Sequence, residues 1–292
     1  MNADLNTLIV GTLVDGSTLA LISVGFVVIF RTTKVVSFAQ GVFMVVGALI
    51  SAELVNRGLN AYISLVAAAL AAGVLGALLF RLVFLRLLGI SPFATAIATI
   101  SVGILGLAVC ELIRGSGTIV VGRQVLSFHS IPVAGLKLNQ VVIFSVVLAG
   151  VVYCIIGATM RWTRVGLYMR AVADRPVLAG YVRIPTAAIS ALAWGAGAFA
   201  AALSGGSFVL VNQPTPDTVF GLGLVAFPAL LLGGLDSVLG ALVGSLAIAA
   251  LQNATLLALG GSWQDVVSYG ALLVVLLVRP QGLFGSAEVS RL

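Results

Sequence analysis

The chain has 292 residues, of which 61% are hydrophobic and only 8% are Asp, Glu, Lys or Arg. Soluble domains carry roughly 25% charged residues, so there is too little charge here to cover a water-facing surface. A soluble enzyme, a disordered chain and a collagen-like fibre are excluded, which leaves a polytopic membrane protein.

A spanning helix needs about 20 mainly apolar residues to cross about 30 Å of hydrocarbon. In chain order that length predicts spans over 8–30, 35–55, 61–80, 93–113, 140–160 and 187–209. The pattern then breaks into a short apolar piece at 220–232, a longer one at 238–259 and a last short one at 266–278. The expected fold is all-α, about 8–9 transmembrane or half-membrane helices in one domain over 1–292. The start, Met1-Asn2-Ala3-Asp4, has no positive n-region, so the first span is expected to stay in the mature chain. The 34 glycines point to close helix contacts, because small residues let backbones approach.

Basic residues set the orientation. With alternating spans, Arg31, Lys34, Arg81, Arg86, Arg161, Arg164, Arg170, Arg175, Arg183, Arg279 and Arg291 fall on one side, 11 of the 15. Arg57, Arg114, Arg123 and Lys137 fall on the other. The positive-inside rule then predicts an outer N-terminus and an inner C-terminus. The net charge of +6 becomes a matter of orientation, and nucleic-acid binding drops out.

Two hydrophilic stretches stand out, an outer loop at 115–139 and an inner loop at 161–185 that holds five of the basic residues. The inner loop contains a short helix over 166–174, interrupted by Pro176. It reads either as a surface helix drawn to anionic lipid headgroups or as a dock for a cytoplasmic partner.

Catalytic chemistry is absent. The single histidine, His129, lies in the outer loop, so a His-based metal site or triad has no members. Neither lysine follows a glycine, so there is no phosphate-binding loop. Cys110 and Cys154 sit in apolar stretches and read as buried core thiols. Among the acids, Asp15 falls inside the first span, Glu53 and Glu111 near segment ends, and Asp236 at a break where it would cap or solvate a turn. No ladder of acids crosses the membrane.

The broken segments carry more. Ser37-Phe-Ala-Gln-Gly41 follows a predicted inner turn, and 221–228 and 231–241 interrupt the second half in a comparable way. Such interruptions in both halves lead us to expect an internal inverted repeat with a pathway at its interface. Candidate pathway residues are Ser37, Phe38, Gln40, Thr95, Thr99, Ser101 and Phe227, although each serves equally well as helix-packing glue.

Ser37-Phe-Ala-Gln-Gly-Val-Phe-Met-Val-Val-Gly-Ala48 resembles the Asn-Phe-Ala-His-Gly-Glu-Phe-Tyr-Met-Leu-Gly-Ala stretch of branched-chain amino acid importer permeases of the LivH type. Further similar stretches follow in family order: Ala98-Thr-Ile-Ser-Val-Gly103, 166–173, Leu232-Gly-Gly-Leu-Asp-Ser-Val-Leu-Gly-Ala241 and Arg279-Pro-Gln-Gly-Leu-Phe-Gly285. The resemblance implies a non-enzymatic permease subunit of a bacterial inner-membrane ABC importer, embedded in the lipid bilayer. It also implies a second, homologous permease, two cytoplasmic ATPases and an extracytoplasmic binding protein as partners. This chain would bind no cofactor, with ATP and Mg held by the ATPases. The resemblance turns the inner loop into an ATPase-coupling element with Arg164, Gly166, Met169, Arg170, Ala171, Asp174 and Arg175. The family's Asn, His and Glu are here Ser37, Gln40 and Val42, its Glu-Ala-Ala is Val177-Leu178-Ala179, its later glycine is Arg183, and a usually apolar position is Asp15. The resemblance implies a branched-chain amino acid-like solute, whereas those losses of polarity suit a more apolar carboxylic acid. The rival expectation is an ATP-independent secondary transporter or channel.

Overall fold

The computed structural model describes residues 2–87, 91–122, 130–133 and 136–285. The sequence readings of His129, Arg123 and Arg291 lie outside them, and of Lys137 only the backbone is described. In order, the elements are α1 (Asn2–Thr33), α2 (Gln40–Asn56), α3 (Ala61–Leu79), a π turn (Phe80–Phe84) and α4 (Leu85–Leu87). Then come α5 (Pro92–Arg114), strands β1 (Ser130–Val133) and β2 (Leu136–Asn139), α6 (Gln140–Trp162), α7 (Arg164–Asp174) and α8 (Pro176–Tyr181). The chain continues through α9 (Thr186–Val211), α10 (Pro216–Gly233), α11 (Val238–Leu259), a 3-10 turn (Gly261–Trp263) and α12 (Gln264–Val278). Among the described residues eight segments are long and apolar enough to span, and α2 is a shorter ninth apolar helix. The architecture is an all-α polytopic membrane bundle.

α1 and α9 form its axis. Both are apolar around their whole circumference, the pattern of a helix packed on all sides, and Leu21, Ile22, Ile29 and Trp194 are fully buried in them. Their approach depends on glycine. A methyl group at Gly25 of α1 would stand 2.7 Å from the Gly197 carbonyl of α9, and one at Gly197 would stand 2.9 Å from the Gly25 carbonyl. The pair brings two backbones into van der Waals contact, where dispersion and small-residue packing hold membrane helices together. α2, α3, α10 and α11 pack around this pair, while most of α5 and α12 faces outward.

Three sequence expectations are corrected. The span over 35–55 begins as a helix only at Gln40, because Lys34 takes the left-handed conformation (φ +56°) and 35–37 run without regular structure. The short piece 220–232 is the inner part of the 18-residue helix α10, which Thr215 caps by accepting from the Thr218 N–H at 3.2 Å and which runs through Pro228. The loop 115–139 contains an antiparallel hairpin that pairs Ser130 with Asn139.

The two closing motifs meet. α10 ends at Gly233, and Gly234 (φ +107°) turns the chain. The C-terminal segment folds back under it, so that Leu283 N–H donates to the Leu232 carbonyl (2.8 Å) and Phe284 N–H to the Gly233 carbonyl (3.0 Å). Helix-end carbonyls that would otherwise face the bundle unpaired are thereby satisfied.

Candidate functional site

α7 lies across the end of α6 through three local devices. Thr163 caps α7, its Oγ1 accepting from the Gly166 N–H at 3.3 Å and donating to the Thr159 carbonyl at 2.6 Å. Gly166 lets α7 cross directly over the last carbonyls of α6, since any side chain would collide with the Met160 and Thr159 oxygens. Arg170 then reaches back and donates from Nη1 to the Met160 carbonyl. On its inner face Met169 and Val172 are buried with Met160, Val28, Ile189 and Ala193, and Ala171 packs at the rim of that cluster. Seven residues read from the sequence as coupling elements thus separate into two sets. Gly166, Met169, Ala171 and, through its bond to Met160, the exposed Arg170 fix α7 to the bundle, while Arg164, Asp174 and Arg175 are also exposed.

Beside the exposed set, α8 presents Val177 (69% exposed), Leu178, Tyr181 (80%) and Val182 to the outside. The positions where the family carries Glu-Ala are therefore an apolar ridge. Arg31, Lys34, Arg170, Asp174 and Asp236 line a charged recess of about 460 Å³ against α7. The cap at this end is not Asp236, as the sequence suggested, but Ser237, whose Oγ accepts from the Gly240 N–H at 2.9 Å.

The pathway candidates converge in part. Ser37 and Gln40 are completely buried, and among the described residues the Ser37 hydroxyl and both amide atoms of Gln40 have no hydrogen-bond partner. The Gln40 side chain enters the α1–α9 window, where a methyl at Gly25 would lie 3.0 Å from its Nε2. Next to it, Phe38 packs on Phe227 with ring centroids 5.1 Å apart, and Phe227 on Phe26 at 6.4 Å. Thr99 holds this turn in place: its Oγ1 accepts from the Phe38 N–H at 3.1 Å and donates to the Ala96 carbonyl at 2.7 Å. Thr95 is buried and donates to the Ser91 carbonyl at 3.0 Å. Ser101 does not join them; it is exposed and bonds back to Ile97 at 3.0 Å on another face of α5.

Sequence reasoning missed Phe26 and Phe220, whose carbonyl would lie 2.7 Å from a methyl at Gly41. It also left open the role of Asp15, whose Oδ2 accepts from Asn253 Nδ2 at 2.8 Å and so links α1 to α11. Cys154 departs from its core reading: it is exposed on α6, while Cys110 is half-buried. Among the described residues no three His, Cys, Asp or Glu side chains come together as a metal site would require.

The sequence of this bundle matches a known family. Residues 8–276 fit the family described as "Branched-chain amino acid transport system / permease component". The chain belongs to that family. It is 28% identical to the high-affinity branched-chain amino acid transport system permease protein LivH of Salmonella typhimurium, over 94% of each chain. It is also 28% identical to the permease protein BraD of Pseudomonas aeruginosa, over 97% of this chain and 96% of that one. A probable LivH of Methanocaldococcus jannaschii is 23% identical over 94% of this chain and 91% of its own length. No solved structure matches. The permease is therefore a multi-pass membrane protein and a component of a transport system.

Proposed function

We propose that this permease is the membrane subunit of an ATP-driven importer in the bacterial inner (plasma) membrane, with its N-terminus outside. A binding protein delivers a small organic solute from the outer side. The path runs between this chain and a second, homologous permease, and two cytoplasmic ATPases, which hold ATP and Mg, drive it from beneath α7 and α8. The solute is a branched-chain amino acid-like compound or a more apolar carboxylic acid. The names of the relatives support the first, and Gln40 and Val42 in place of the family's His and Glu support the second.

One observation carries the pathway: Gln40, fully buried with both amide atoms unpaired beside the Phe38–Phe227–Phe26 stack. A buried polar group without a partner costs about 1–3 kcal/mol. That cost is relieved if the α1–α9 window opens toward the path between the two permeases, so that the amide meets the polar group of a passing solute while the rings meet its apolar part. Gln40→Leu separates this role from packing. In the assembled transporter, reconstituted with its binding protein, the variant should keep or raise its melting temperature. Uptake should fall about tenfold, the equivalent of roughly 1.4 kcal/mol. Undiminished uptake would remove Gln40 from the path.

A further inference from the structure

An apolar cleft among the described residues opens to the side of the bundle, reaching Val28 of α1 and Ala196 of α9 beside the Gly25–Gly197 contact. Its volume is about 470 Å³, within the roughly 300–1,000 Å³ typical of small-ligand sites. One wall is α3 from Leu70 to Ala77, the other α6 from Val152 to Met160, and α9 forms the floor at Gly195. The two walls touch at the opposite end of the bundle, where the rings of Tyr62 and Phe144 lie 5.7 Å apart. The cleft is thus closed at that end and lies toward the end where α7 crosses, with Val165 and Met169 of α7 lining its last part.

Its length selects the occupant. The seven steps from Leu70 to Ala77 and the eight from Val152 to Met160 rise about 10–12 Å at 1.5 Å each, close to one leaflet, which is half of about 30 Å. A transmembrane helix of a partner would need a groove through both leaflets. The mouth carries charge of one sign: Arg81 follows Ala77 by one turn, Arg161 follows Met160 directly, and Arg164 precedes Val165. All three are exposed, and no ion pair among the described residues engages them. α3 and α6 contain no acid, and the only acid of α7 is Asp174 at its far end. Trp162, 77% exposed with the Arg161 guanidinium 6.0 Å from its ring, stands where interfacial tryptophans anchor at headgroup level.

We propose that this cleft is a site for one phospholipid with an anionic headgroup, its acyl chain between α3 and α6 and its phosphate at Arg81, Arg161 and Arg164. The lipid would fill the gap between the strap α7 and the α3–α9 pair, in the leaflet next to the coupling elements.

Native mass spectrometry of the purified full-length chain, supplied with phosphatidylglycerol or phosphatidylcholine of the same acyl chains, tests the assignment. At about 1 kcal/mol per basic side chain, phosphatidylglycerol should be retained about a hundredfold more strongly, one molecule per chain. It should also raise the melting temperature, as a ligand of the folded state does. In the triple variant Arg81→Gln, Arg161→Gln, Arg164→Gln the preference should collapse toward that of phosphatidylcholine. Ile155→Trp, a change at an exposed lining position that leaves the charges intact, should weaken both lipids. Equal retention of both lipids by the unaltered chain would overturn the proposal, as would full retention of phosphatidylglycerol by both variants. So would a disulfide from Ile155→Cys to a second permease in the assembled transporter, because the cleft would then hold protein.

Discussion

Individual side chains in this permease matter according to the face they occupy. Thr95 and Thr99 are four apart on α5 and share a face, whereas Ser101, two residues beyond Thr99, is turned away from it by helical geometry. The exposure of Ser101 was legible from spacing alone, even though composition grouped it with the pathway. Gln40 is the opposite case. A polar residue after a turn is visible in the sequence, but that its amide reaches the Gly25–Gly197 window without a partner depends on three helices meeting. Those two glycines set the α1–α9 distance. Gly197→Val should lower stability by about 1–3 kcal/mol through overpacking, read as a lower melting temperature of the purified permease. The family resemblance makes Arg170 a coupling residue, and its guanidinium also closes the end of α6 at Met160. Arg170→Gln should therefore cost about 1 kcal/mol of stability and loosen coupling. The loss would appear as more ATP hydrolysed per solute imported in the assembled transporter. An unchanged ratio with normal stability would show that Arg170 is dispensable.

At the scale of elements, the apolar runs predicted which segments cross, and the structure redrew their ends. Lengths were legible because about 20 apolar residues are required whatever the neighbours do. The ends were not, since they depend on caps and on what satisfies the last backbone groups. α10 illustrates this: Pro228 and the glycines suggested a broken piece, but freed backbone groups are tolerated where neighbouring helices enclose them, and α10 runs its full 18 residues. α7 is short and owes its position to its first turn, where Thr163 accepts from Gly166 and donates to Thr159. Thr163→Ala should cost about 1 kcal/mol by loss of the cap. Faster amide exchange confined to 164–174, with the spans still protected, would register that loss; uniform protection would argue against the cap. The apolar ridge of α8, with Val177 and Tyr181 outermost, lies beside the exposed charges of α7.

On the scale of the whole molecule, the helices alternate between two ends. One gathers Arg31, Lys34, Arg170 and Asp174 around the charged recess. At the other, Glu53 bridges Arg57 at 2.9 Å and Arg114 at 2.7 Å between α2 and α5. With the first end facing the cytoplasm, a thiol at Arg57→Cys should label in intact cells and one at Arg81→Cys only after permeabilisation. Both are made in a background lacking Cys110 and Cys154, and the reverse pattern would invert the orientation. The C-terminal return that covers Leu232 and Gly233 ties the last helix to α10 across the chain.

The sequence by itself determined that this chain lives in a membrane, how many times it can cross and which family it joins. Hydrophobic length, charge scarcity and short motifs are local quantities that the chain carries before it folds. Only the tertiary structure decided that Arg170 seals the end of α6, that Asp15 meets Asn253, and that Gln40 lies unpaired among the described residues in a glycine window. Each of those depends on which backbone stands a few ångströms away, and that is settled only when distant helices pack together.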